Sequence, residues 1–146
     1  MTAELSELVS SRAGGVFRCA RAADAPLAHP CYHALRVELH GVRDKAAFLK
    51  ALGGALRFPD YFGANWDAFY DCLLDLDFGE HGGLLLVLAG AAGFARAEPE
   101  EFAAGVDALR DAAAWWAEQE RALLVVVELD TALLAPELAE VSVRRA

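Results

Sequence analysis

GGLLLVLAG, residues 82–90, holds an unbroken apolar run between glycines. A run of about six residues bounded by turn residues fits a strand buried on both faces, because a strand with one solvated face would alternate in polarity. ALLVVVEL, residues 122–129, repeats the pattern. Between the two lies a helical pattern, with Pro99 suited to the first turn and Phe102, Val106, Leu109, Ala113 and Trp116 spaced by three or four. Upstream, LRVELHG alternates apolar Leu35, Val37 and Leu39 with Arg36, Glu38 and His40, which predicts a strand with one buried face. Two helices fit between that strand and GGLLLVLAG. The first, KAAFLKALGGAL, has Asp44 as its N-cap and is expected to end near Gly53 and Gly54; the second is expected to start at Asn65.

The order strand, helix, helix, strand, helix, strand implies crossover connections and a parallel sheet. The expected class is therefore α/β, a small layer of three parallel strands packed by helices. Residues 1–33 differ in character and read as an N-terminal extension. It carries a short helix over Ala3 to Ser10, an edge strand in VFRCA and a connection in AADAPLAHP. The domain proper is expected over 34–130, followed by a tail, 131–146, with a short helix around Pro136 to Glu140.

A hydrophobic content of 56% excludes a disordered chain and supports one buried core. The formal net charge of -9 makes nucleic acid and anionic membrane poor partners and a basic protein or a cation a plausible one. Three cysteines, without C-x-x-C spacing, suggest neither a disulfide framework nor a zinc site. Glu4 and Glu7 stand where a signal peptide would be basic, and no apolar run is long enough to span a bilayer. A soluble, cytoplasmic protein with reduced thiols and no cofactor is expected.

The acidity is concentrated. DYFGANWDAFYDCLLDLDFGE, residues 60–80, contains six acids and no Lys or Arg. Advancing about 100° per residue from Asn65 places Ala68, Phe69, Cys72, Leu73 and Leu76 on one arc. Asp67, Asp71 and Asp75 then form a ridge on the opposite side, with Tyr70 and Leu74 between. Like charges at this spacing destabilise a helix by about 0.2–0.5 kcal/mol per pair, so the ridge is a small structural liability. A solvated helix face is the plain explanation, but such faces normally intersperse both signs.

FPDYFGANWDAFYDCL, residues 58–73, resembles the signature of the barstar family, intracellular inhibitors of a secreted ribonuclease. The resemblance extends from about Leu35 to Leu129 and implies the same order of strands and helices around a three-stranded parallel sheet. It further implies that the loop and helix plug a ribonuclease active site. Asp71 then corresponds to the central inhibitory carboxylate, Asp67 to its neighbour and Tyr61 to the loop tyrosine that packs on the enzyme. Phe62, Gly63, Ala64, Asn65, Tyr70 and Asp75 complete the contact surface. Tyr70 stands where barstar has tryptophan, and Phe62 and Ala64 replace a tyrosine and a glutamate. Glu118 is the nearest candidate for a further acidic contact from the long helix.

The implied partner is a basic secreted ribonuclease, whose cleft of Arg, Lys and His would receive carboxylates in place of phosphate oxygens. An immunity-type module for a different basic nuclease toxin or protein is the alternative, and the free chain is expected to be a monomer. A divalent-cation enzyme built on Asp67, Asp71 and Asp75 is a remote one, since carboxylates in a helical row seldom surround a point. His29, His33, His40 and His81 are scattered, and no phosphate-binding loop or nucleophile elbow is present, so no enzyme is expected. Cys72, Trp115 and Trp116 read as packing residues.

Overall fold

The computed structural model describes residues 3–22, 29–59 and 65–143. In chain order the elements are β1 (Ala3–Glu4), α1 (Leu5–Ser10), β2 (Gly15–Cys19), β3 (Tyr32–Glu38), α2 (Lys45–Leu56) and α3 (Trp66–Leu73). There follow β4 (Gly83–Ala89), α4 (Ala92–Ala97), α5 (Pro99–Glu118), β5 (Ala122–Glu128), a 3-10 turn (Ala132–Leu134) and β6 (Val141–Ser142).

Strand β4 is buried at every position and β5 at all but its last, as continuous apolar runs require. They lie at the centre of a parallel sheet in the order β2-β5-β4-β3, with Leu86 opposite Val125 and Leu35 opposite Leu86. Leu84, Leu86 and Leu88 of β4, with Leu123, Val125 and Val127 of β5, face a core filled by Phe48 and Leu52 of α2, Phe69 and Leu73 of α3, Phe94 of α4 and Leu109 of α5. The intervening residues, Leu85, Val87, Leu124 and Val126, face a second core closed by Leu5 and Val9 of α1, Tyr32 and Val141. Helices α2 to α5 thus cover one face, and the extension with the chain's last strand covers the other.

The sheet has four strands rather than the three expected, the fourth being the extension's VFRCA segment. The reason lies in β5, whose two apolar faces leave it nowhere to serve as a solvated edge. Glu128 fastens the arrangement at the carboxyl end, accepting hydrogen bonds from the N–H groups of Ala22 (2.8 Å) and Gly90 (2.7 Å).

Several boundaries depart from expectation. Strand β3 begins at Tyr32, three residues before Leu35. Helix α2 does not stop at Gly53 and Gly54 but runs to Leu56, because Leu52 is buried and Leu56 packs on the same core. It ends where Arg57 turns left-handed (φ 58°) and the N–H of Phe58 returns to the Gly53 carbonyl at 2.9 Å. Helix α4 adds a short turn that buries Phe94 and was too brief to show a period. No helix forms at Pro136 to Glu140. That segment instead runs beside β2, where the Arg18 N–H donates to the Ala139 carbonyl (3.0 Å) and its guanidinium pairs with Glu140 (2.7 Å), and it continues into β6, which pairs with β1.

Two-sided burial makes Leu123 and Leu124 equivalent, since they face opposite cores and both are fully buried. Each Leu→Ala substitution is expected to lower the unfolding free energy in urea by about 2–5 kcal/mol. A loss near zero for Leu124→Ala alone would mean that the second face is not closed in solution.

Candidate partner-binding site

Helix α3 starts as its sequence dictates. The Asn65 side chain accepts a hydrogen bond from the Ala68 N–H at 2.8 Å, and Asp67 in the first turn suits the positive end of the helix. Phe69 and Leu73 point inward and are fully buried, while Asp67 and Asp71 are exposed. Tyr70 is half-buried against the core, between the acids and the apolar side.

Two indoles fix the helix to α5. At the start of α3, the Trp66 N–H donates to the Glu101 carboxylate at 2.9 Å, with Lys45 3.9 Å from that carboxylate and 5.6 Å from the Trp66 ring centre. The ring lies so close to α5 that a Cβ at position 105 would come within 3.0 Å of it, so Gly105 makes the approach possible. At the other end, the Trp116 N–H donates to the Leu73 carbonyl at 2.8 Å, satisfying one of the acceptors that a helix C-terminus leaves open. The spacing of the tryptophans marked them only as packing residues. No periodicity discloses a hydrogen bond between helices.

The acidic ridge is shorter than helical spacing suggested. Helix α3 ends at Leu73, and the Asp75 N–H bonds to the Cys72 carbonyl (3.1 Å) in a tight closing turn. The chain must turn here because Phe78 folds back to be buried against Trp116, with ring centres 4.7 Å apart. Asp67 and Asp71 therefore share the helix, about 6 Å apart at Cβ for an i, i+4 pair, and Asp75 follows in the turn. Among the described residues, none of the three is joined to a base by an ion pair.

Glu118 is exposed and is the last residue of α5, two residues beyond the Trp116 that reaches Leu73. It belongs to the same end of the helix pair as Leu73. Tyr61, Phe62, Gly63 and Ala64 lie outside the described residues. Among the described residues no group of three His, Cys, Asp or Glu side chains is placed to hold a metal ion, and no helix is long and apolar enough to cross a membrane.

A groove of about 1070 Å³ runs along α3 on the side away from α5. Asp71, Cys72 and Asp75 line one side of it, and the segment from Ala55 to Pro59 the other. Burial first, and then the carboxylates of Asp71 and Asp75, hold the half-buried Cys72 thiol above its ordinary pKa. Burial and the Glu128 carboxylate push the enclosed Cys19 thiol up to about 12.

Fold and surface together define an α/β protein whose distinguishing feature is an anionic helix held rigidly on one side of a parallel sheet. The family model described as Barstar (barnase inhibitor) matches residues 32–128, and the chain belongs to the barstar family. The matched span begins at the first residue of β3 and ends at the last of β5, so β1, α1, β2, the 3-10 turn and β6 lie outside it. Among curated proteins no significant relative is found. The family's description names an inhibitor of barnase.

Two measurements probe this site without a partner. Trp116→Phe keeps the ring but removes the N–H, and is expected to lower stability by about 1 kcal/mol and to speed hydrogen exchange of the amides in the last turn of α3. Unchanged exchange there would show that the indole does not hold the helix end. Because nearby carboxylates disfavour the thiolate, Asp71→Asn or Asp75→Asn lowers the Cys72 pKa, and iodoacetamide should modify Cys72 faster at pH 8 by mass spectrometry. The buried Cys19 serves as the internal control.

Proposed function

We propose that the protein is an intracellular inhibitor that binds a basic ribonuclease and blocks its active site with α3 and the loop before it. The observation that carries this reading is the pair Asp67 and Asp71, exposed and free of ion pairs among the described residues, on a helix anchored at both ends in a barstar-family chain. A ribonuclease cleft holds cations for a polyanionic substrate. Carboxylates already fixed in space can occupy the phosphate positions and accept charge-assisted hydrogen bonds from guanidinium and ammonium groups.

Asp71 has the central role and Asp67 supports it, with Tyr61 and Tyr70 as the flanking aromatic contacts and Phe62, Gly63, Ala64 and Asn65 forming the loop rim. Asp75 and Glu118 extend the negative field around this centre. The net charge of -9 accelerates encounter with a cationic enzyme, an effect that salt screens over about 8–10 Å. No bond is made or broken; substrate is excluded by occupancy and by charge. The residues that would meet the partner differ from the barstar pattern at Phe62, Ala64 and Tyr70, which directs specificity toward a nuclease whose rim fits those side chains.

Barnase provides the first probe and co-expressed basic nuclease toxins the second, each scored by RNA cleavage and by association and dissociation rates. Asp71→Ala is expected to cost about 2–5 kcal/mol of binding, the range for truncating one partner of a buried, hydrogen-bonded charge pair. Asp67→Ala should cost less, and association of the wild type should slow as salt rises. If the Asp67→Ala/Asp71→Ala double variant binds an inhibited nuclease as tightly as the wild type, α3 is not the inhibitory surface.

A further inference from the structure

The groove beside α3 combines two kinds of surface that a flat acidic face lacks. Its lining includes the half-buried apolar side chains of Leu35 and Leu74, while Asp71 and Asp75 stand along one margin and Arg57 along the other. Neither the two aspartates nor Arg57 forms an ion pair among the described residues. A hydrated inorganic cation would use the carboxylates and leave the leucines without a partner. An arginine side chain uses both, laying its methylene stem on the leucines and presenting its planar head to a carboxylate in a two-point hydrogen bond. The volume of about 1070 Å³ exceeds what one side chain fills, and Arg57 opposite the acids offers donors to the carbonyls of a passing main chain.

We infer that this groove receives an extended, arginine-bearing segment of the partner at Asp75, seated beside α3 as a second contact next to Asp71, whose carboxylate enters the active site. The inference rests on the inhibitory reading and adds to it a specificity determinant made by Asp75, Arg57, Leu35 and Leu74. Lysine is a weaker occupant, since its ammonium is more strongly hydrated and cannot span both oxygens of one carboxylate.

The tripeptide acetyl-Leu-Arg-Leu-amide is the probe, titrated into the 15N-labelled full chain. Saturable shifts are expected at the amides of Cys72, Leu74, Leu76 and Leu84, with weaker binding when lysine replaces arginine. Asp75→Asn should weaken the peptide roughly tenfold, as expected for the loss of a charge-assisted pair, whereas Asp67→Asn should leave it unchanged. Ala55→Trp, which adds an indole to the α2 side of the groove, should abolish the shifts while the rest of the amide spectrum shows the fold retained. Shifts that do not saturate, that centre on Asp107 and Asp111 of α5, or that persist unchanged in Asp75→Asn overturn the inference. No nuclease enters the titration. Failure here leaves inhibition through Asp67 and Asp71 standing, and failure of inhibition leaves a saturable peptide site standing.

Discussion

Two-sided burial of β4 and β5 governs the rest of the molecule. Strands apolar on both faces cannot end a layer; each face must be covered, and β5 needs a neighbour on both edges. The four helices that follow β3 close one face. The other is closed by segments from the extension and the last strand, which lie outside the span matched by the barstar family model. Burial of apolar surface on both sides, worth about 25 cal/mol per Å², stabilises the sheet against which α3 is set.

An eight-residue helix would be marginal on its own, since isolated helices need roughly 12–15 residues before they persist in water. Helix α3 also carries the mild repulsion of two aspartates one turn apart. Burial of Phe69 and Leu73 supplies most of its attachment, and the indoles of Trp66 and Trp116 fix its two ends against α5. Under the proposed inhibitory function that restraint would favour binding, because carboxylates already in position lose little freedom on contact. The helix is short, acidic and still well held.

Much of this was legible in the residues. The apolar runs at 84–89 and 122–127 marked the central strands, alternation marked β3, and Asp44 and Asn65 marked two helix starts that the structure shows capped by those side chains. The Gly53-Gly54 pair misled because packing of Leu52 and Leu56 outweighs the weak helix propensity of glycine, about 1 kcal/mol per residue. Asp75 misled because helical projection assumes that the helix continues, whereas burial of Phe78 turns the chain at Leu74. The indole bonds and the groove have no signature in the sequence, for a different reason. Both depend on side chains far apart in the sequence meeting across elements, and no local pattern encodes that.

The pairing of β1 with β6 brings Ala3 beside Val141 and Glu4 beside Ser142, and Val141 sits in the core on the face opposite α3. Both outer segments of the described chain therefore lie at the back of the sheet. A fluorophore, a solid support or a fused protein attached through either segment would stand behind the sheet, with the acidic helix facing forward and unobstructed. The protein is built with a natural handle.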